Sequence, residues 1–89
     1  MKIHSVKQMT NNAIIICLKD NTNGNVARYL VSYETVVAGW EEGEGIVLDP
    51  KWEYSRTTMK HVNLFLGCNA QEIRAKIKSG AYKVKNLNE

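Results

Sequence analysis

Two side chains of this sequence, those of His61 and Cys68, are of the types that enzymes use as general base and nucleophile. The intervening residues have a helical apolar period, which would place Cys68 about two turns beyond His61 and too far away for direct contact. The sequence contains no glycine-flanked serine and no phosphate-binding loop. Catalysis by His61, with Cys68 as its only other participant, is therefore the weakest hypothesis, and we expect no enzymatic activity.

Three glutamates, Glu41, Glu42 and Glu44, lie in a segment that also contains two glycines. Paired carboxylates act as general acid and base only where the structure fixes their separation and sets their pKa values apart. A glycine-containing turn does neither. We interpret Glu41–Gly45 as an exposed acidic loop, which could contact a partner through its charge.

Charge is distributed unevenly along the chain. Residues 1–50 carry four basic and six acidic side chains, whereas residues 51–89 carry eight basic and three acidic ones. If the two halves do not interleave, one end of the molecule is acidic and the other is basic. We define the basic surface as seven cations of the second half: Arg56, Lys60, Arg74, Lys76, Lys78, Lys83 and Lys85.

The basic surface is a candidate for contact with nucleic acid. Trp52 and Tyr54 precede its cations and carry aromatic rings that could stack on bases. However, the sequence shows no helix-turn-helix, aromatic RNA-binding motif or zinc finger. Direct nucleic-acid binding is therefore an alternative rather than the leading interpretation.

The two cysteines, Cys17 and Cys68, are predicted to be thiols, one in the core and one in a loop. Together with His4 and His61 they are suitable ligand types for zinc. They lack the close-paired spacing that zinc sites show. We therefore expect no bound metal and no other cofactor.

The residue pattern of the first half of the chain predicts β-strands separated by turn residues. The apolar, β-branched run at 13–19 is expected to be a central strand covered on both faces. The predicted strands are residues 2–7, 13–19, 26–33, 35–40 and 46–49, with 52–54 as a further short strand.

The apolar period then changes to that of helices. Two short helices are predicted, at about 57–66 and 70–79, each with one apolar face and a terminal glycine. Ser55, Thr57 and Thr58 can each cap the first helix. Residues 81–85 alternate and are predicted to form a final edge strand, and the last four residues are expected to fray.

These elements predict a single domain over residues 1–89, strand-rich through residue 54 and helical after it. We expect the α+β class, an antiparallel sheet of about four to six strands with two short helices packed on one face. The longest apolar run, at 13–18, cannot cross a bilayer, so we expect no membrane contact and a cytoplasmic location.

Two motifs follow each other in the middle of the chain. In residues 29–38, Ser32, Tyr33 and Thr35 form a Ser-Tyr-x-Thr strand beginning. In residues 54–67, Thr57, Thr58 and His61 form a Thr-Thr-x-x-His helix beginning. Leu66 and Gly67 form a Leu-Gly helix end. Together they resemble a family of small uncharacterised proteins encoded by bacteriophages and mobile elements. The resemblance implies a phage origin and supplies no activity.

The resemblance also suggests a local structure. Thr57 or Thr58 would cap the helix, and the ring of His61 would reach back to the bend at 32–35. We call Thr57, Thr58 and His61 the structural latch, because such a contact would join helix to sheet.

The leading hypothesis is a non-enzymatic, phage-type binding protein. It would act in the host cytoplasm by docking on a host or defence protein, or on a nucleoprotein, in the manner of anti-CRISPR proteins. The acidic loop and the basic surface are its two candidate contacts. A regulator that binds DNA or RNA directly is the alternative, and a homodimer is compatible with either.

Overall fold

The computed structural model describes residues 2–20, 22 and 24–88, and every structural statement below concerns this part of the chain. Its elements, in chain order, are β1 (Lys2–Thr10), β2 (Ala13–Lys19), β3 (Val26–Ser32), β4 (Thr35–Glu41), β5 (Gly45–Leu48), α1 (Arg56–Leu66), α2 (Ala70–Ser79) and β6 (Lys83–Val84).

Within the described residues, the strands form one six-stranded sheet whose spatial order is the same as their order in the chain. Neighbouring strands are antiparallel except β5 and β6, which are parallel. A parallel pair needs a crossover connection, and α1 and α2 supply it. The predicted α+β class is confirmed, and the sheet is antiparallel apart from its last pair.

The core lies between the sheet and the two helices. Val62 of α1 and Ile73 of α2 are fully buried, and both belong to the apolar stripes that helical periodicity predicted. On the sheet side they belong to one buried cluster with Ala13, Leu30, Val37, Ala38, Leu48 and Trp52.

Side-chain caps fix the N-terminal ends of both helices. Ser55 caps α1, because its Oγ accepts a hydrogen bond from the Thr58 backbone N–H at 3.1 Å. The expectation that Thr57 or Thr58 is the cap is therefore wrong, since both lie inside the helix. Asn69 and Glu72 form a capping box at the start of α2.

Two strand predictions need correction. Strand β2 is an interior strand, paired with β1 and β3, but it is not covered on both faces as expected, because most of its side chains are only partly buried. Residues 52–54 form turns rather than a strand, since Trp52 N–H bonds to the Asp49 carbonyl and Tyr54 N–H to the Lys51 carbonyl. Successive turns of this kind leave no extended backbone to pair with the sheet.

Residues 85–88, the C-terminal strap, are held along β4 and β5. The buried carboxylate of Asp49 accepts hydrogen bonds from Leu87 N–H at 2.8 Å and from Asn88 Nδ2 at 2.9 Å. Asn88 also bonds to both backbone polar groups of Val36. The expected fraying is therefore wrong for residues 86–88, while Glu89 lies outside the described residues.

Candidate functional site

A buried polar cluster joins α1 to the end of β3. His61 Nδ1 lies 2.7 Å from Ser32 Oγ, and Ser32 Oγ lies 3.4 Å from Thr58 Oγ1. These side chains are only 2% (Ser32), 5% (Thr58) and 4% (His61) exposed. The predicted contact between His61 and the bend at 32–35 is present. Thr57, the other predicted member of the structural latch, is exposed and lies outside the cluster.

The environment of His61 favours its neutral form. Burial, and secondly the positive charge of Lys60, lowers the pKa of His61 below its ordinary value. A neutral imidazole can exchange a hydrogen bond with a hydroxyl without burying a charge. The cluster therefore stabilises the junction of helix and sheet with all its buried polar side-chain atoms hydrogen-bonded among the described residues.

Tyr33, the residue after Ser32, has an unusual backbone. Its φ of 57° lies in the left-handed region, which costs a residue other than glycine about 1–2 kcal/mol. Its N–H donates to the Asn12 carbonyl at 2.6 Å, and its ring centroid lies 6.1 Å from that of His61. The strained turn is thus held from two sides, and the Tyr33 side chain remains 54% exposed.

Tyr33 borders a cleft between the β3–β4 turn and the beginning of α1. The cleft has a volume of about 550 Å³ and is lined in part by Tyr33, Thr35, Lys51, Tyr54 and Thr57. We call it the tyrosine cleft. Tyr54 is 80% exposed, so both tyrosines present aromatic surface and a phenol group to solvent.

The chemistry of the tyrosine cleft suits binding. Tyrosine offers a large, rigid apolar surface with one hydrogen-bonding end, which is why it is enriched at interfaces. Lys51 adds a positive charge, and the first turn of α1 contains no acidic residue that would offset the positive end of the helix dipole. Ser32 also lines the cleft but is only 2% exposed, and His61 does not line it and is 4% exposed, so burial shields both side chains from an approaching ligand.

The acidic loop and the C-terminal cations neutralise each other. Lys83 Nζ lies 2.5 Å from the Glu44 carboxylate, and Lys85 Nζ lies 2.6 Å from that of Glu41. The Glu42 carboxylate accepts a hydrogen bond from the Val26 backbone N–H at 3.2 Å. The two halves of the chain interleave here, so the expected separation into an acidic end and a basic end is wrong.

The pKa values in this region follow from the same contacts. Burial acts to raise the pKa of Glu41, but hydrogen bonds from Lys85 and Tyr29 outweigh it and hold the pKa below its usual value. The Lys83 ammonium lowers the pKa of Glu44. Burial and the hydrogen bond to Glu41 raise the pKa of Tyr29 to about 12. The carboxylates are thus ionised and satisfied within the chain.

The remaining members of the basic surface are engaged to different degrees. Arg74 pairs with Glu53 at 2.8 Å and lies over the Trp52 ring, while Lys76 Nζ lies over the Tyr82 ring and 3.4 Å from its hydroxyl. Among the described residues, four cations of the set form no ion pair: Arg56, Lys60, Lys76 and Lys78.

The aromatic pair that the sequence proposed for base stacking is divided by the fold. Trp52 is only 4% exposed and belongs to the core, so it cannot stack on a base. Tyr54 is free to do so. Sequence reasoning missed Lys51 and the exposed ring of Tyr33 as its neighbours, although the Ser-Tyr-x-Thr motif already placed Tyr33 beside Ser32.

Cys68 lies at the other end of α1 from the buried cluster. Its Sγ lies 3.6 Å from the Leu66 carbonyl and 3.9 Å from the Tyr82 hydroxyl. Across residues 2–20, 22 and 24–88, no group of three or more His, Cys, Asp or Glu side chains could hold a metal ion. The helices in that part of the chain are too short or too polar to span a membrane.

The fold and the cleft define a small α+β domain with an exposed aromatic site. The chain belongs to a family of unknown function, DUF8033, whose model matches residues 4–80. The match extends well beyond the two motifs, which cover residues 29–67. No curated protein and no solved structure matches the chain.

Proposed function

We propose that this is a non-enzymatic binding protein that docks on a protein or nucleoprotein through the tyrosine cleft. The observation that carries the proposal is the pair of exposed rings, Tyr33 and Tyr54, on a cleft of about 550 Å³. Exposed tyrosines around a concave site are the kind of anchors that dominate binding energy at protein interfaces.

The cleft is held in shape before any partner arrives. The Ser32–His61 contact fixes the end of β3 against α1, and the Tyr33 N–H is bonded to the Asn12 carbonyl. A preorganised site loses less conformational entropy on binding. The same burial supports a non-catalytic role, because a serine nucleophile must reach its substrate and Ser32 is only 2% exposed.

The contacts of the acidic loop argue for placing the main interface at the cleft. A partner approaching Glu41 or Glu44 would have to compete with Lys85 or Lys83 for each carboxylate. The acidic loop and the basic surface are therefore secondary contacts in this proposal. We retain the sequence-based proposal of a phage-type inhibitor of a host or defence complex, acting in the host cytoplasm.

A matched pair of variants tests the proposal. Tyr54 lies on the cleft, whereas Leu64 lies on α1 and is exposed at 56% without lining the cleft. The protein and its Tyr54→Ala and Leu64→Ala variants are each used to purify partners from cells expressing them. We expect one partner to be retained by the parent protein and by Leu64→Ala and lost by Tyr54→Ala. Equal retention by all three proteins would contradict docking at the cleft.

Direct binding of single-stranded nucleic acid is the second candidate function. Lys51 lines the cleft, and Arg56 begins α1, whose first turn has no acidic residue to repel phosphate. The exposed ring of Tyr54 could stack on a base, which is worth about 1–3 kcal/mol per base.

Fluorescence anisotropy with a labelled single-stranded oligonucleotide tests this second function. Affinity should fall steeply with salt, and Lys51→Glu and Tyr54→Ala should each weaken binding. Reversing three cations of α2, Arg74, Lys76 and Lys78, to glutamate would show whether the helix adds phosphate contacts. No affinity at low salt would exclude this candidate while leaving the protein-docking proposal intact.

A further inference from the structure

The face of the sheet opposite the helices is apolar where it crosses the first three strands. Residues directly opposite each other on paired strands share a face, so the pairs Val6↔Ile16 and Ile14↔Val31 place four aliphatic side chains together. Ile3 and Leu18 form a third pair on the same side. We call this surface the outer face: Ile3, Val6, Ile14, Ile16, Leu18 and Val31.

The charged residues of these strands lie on the other side. Ile15 packs against the core and marks the helix side of β2. Lys7 is paired with Ile15, and Arg28 is paired with Cys17. Lys19 lies two residues after Cys17 on β2 and therefore on the same, helix side of the sheet. Lys2, paired with Lys19, completes the set. In the described part of β1, β2 and β3, the outer face therefore carries no charged side chain.

This arrangement is the reverse of that expected for a sheet with one open face. An antiparallel sheet with helices on one side usually presents polar residues to water on the other. Here Ile3 and Val6 are 66% and 56% exposed, and a groove of about 430 Å³ runs between the outer face and the C-terminal strap. The lining of the groove also includes Glu41 and Lys85, which pair with each other. An apolar face of this kind on the first three strands indicates a surface that becomes buried.

The area of the outer face sets the size of the interface that it can form. A specific interface of ordinary size removes about 800 Å² from each partner. The outer face spans three strands that lie about 4.8 Å apart, and on β4 it is bordered by Val36 and by Glu41, whose carboxylate is paired with Lys85.

We propose that the outer face binds the outer face of a second copy of this chain, forming a symmetric sheet-on-sheet dimer. In a two-fold interface the same patch is used twice, so like charges on it would approach each other. The absence of charge from the described outer face removes that repulsion, while Lys2, Lys7, Lys19 and Arg28 stay on the side away from the partner. The two sheets would pack about 10 Å apart with their strands roughly 30° from parallel.

The dimer leaves the tyrosine cleft accessible. That cleft is lined by residues of α1 and of the segment before it, such as Tyr54 and Thr57, which lie on the helix side of the sheet. The dimer would therefore present two clefts facing away from each other. This inference does not depend on what the clefts bind, and it can fail or succeed separately from the proposed function.

Sedimentation equilibrium over a range of protein concentrations tests the proposal. We expect a species of twice the 10.1 kDa chain mass. Val6→Asp places a charge on the outer face, and Leu64→Asp places one on α1 at a side chain with the same 56% exposure. Val6→Asp should weaken the dimer by roughly tenfold or more, and Leu64→Asp should leave it unchanged.

Three results would overturn the proposal. A parent protein that stays monomeric at the highest concentration has no such interface, and a dimer that survives Val6→Asp uses another surface. Equal weakening by both variants would point to a general effect of charge. Circular dichroism reports whether each variant is folded. If Val6→Asp does not fold, Ile3→Asp replaces it, because the Ile3 side chain is 66% exposed.

Discussion

His61 Nδ1 and Ser32 Oγ lie 2.7 Å apart in the interior, at the point where α1 crosses the end of β3. Both side chains are almost fully buried, so water cannot replace the hydrogen bond between them. The pair joins two segments that are far apart in the chain. It also lies next to the strained Tyr33 turn. Loss of this hydrogen bond should therefore affect both the stability of the protein and the shape of the tyrosine cleft.

Replacing His61 with alanine should lower the stability of the protein. The change leaves the Ser32 hydroxyl buried without this partner and creates a cavity, which together should cost about 1–3 kcal/mol. Urea unfolding measures the loss. Thr57→Ala, at an exposed neighbour on the same helix, is the control and should change stability far less. An unchanged unfolding midpoint for His61→Ala would show that this contact is not the latch between helix and sheet.

Stability should decrease below about pH 6.5 because of His61. Burial and the charge of Lys60 lower the pKa of His61 from its ordinary value of 6.5, so the unfolded chain binds more protons than the folded one in this range. The contribution to stability is therefore present above the unfolded-state pKa and is lost as the pH falls through the folded-state pKa. Urea unfolding at about pH 7.5 and 5.5 should show the loss, and His61→Gln should reduce it. Greater stability at the lower pH would contradict the assigned direction.

Gly39→Ala should destabilise the sheet. A Cβ atom at this position would lie 2.6 Å from the Tyr29 Cδ1 atom and 2.7 Å from the Arg28 carbonyl oxygen. The carbonyl belongs to the neighbouring strand and cannot move away without disturbing the pairing, so we expect a loss of about 1–3 kcal/mol in thermal or urea unfolding. A double-mutant cycle with Tyr29→Ala should show coupling, because one of the two clashing atoms is then absent. Additive effects would argue against the close approach.

Asp49→Ala should release the C-terminal strap. The Asp49 carboxylate accepts hydrogen bonds from Leu87 N–H, Asn88 Nδ2 and the Lys51 backbone N–H. We expect a loss of about 1–3 kcal/mol together with faster hydrogen exchange at Leu87. Glu34→Gln, at an exposed turn residue, is the control. Unchanged protection of the Leu87 amide in Asp49→Ala would show that the carboxylate does not anchor the strap.

Local patterns in the sequence determined the helical part of the fold. Val62 and Ile73 are recognisable as core residues from helical periodicity alone, and the spacing of Asn69 and Glu72 is that of a capping box at a helix start. These features depend on neighbours within a few residues. The ion pair between Lys85 and Glu41 is different, because it requires β6 to add to the sheet beside β5, and no local pattern encodes that pairing.

The wrong prediction for the burial of β2 has a related cause. An apolar run such as 13–18 predicts burial on both faces, and the usual explanation is a central strand covered on both sides. Here one face of β2 adjoins the helix-side core, and the other belongs to the open outer face. Similarly, periodicity could not decide which of Trp52 and Tyr54 is buried, since both lie in turns whose direction is set by the surrounding fold.

The parallel pairing of β5 and β6 has a consequence for the order of folding. Strands β1 to β5 form a meander in which each strand meets the next after a short turn, whereas β6 reaches β5 only after both helices have been traversed. Closing a longer loop costs more entropy and is slower. The hairpins should therefore form first, and β6 with the strap should dock last. In the folded protein, the same segment should be the first to detach in partial unfolding, exposing the edge of β5 while the meander stays intact.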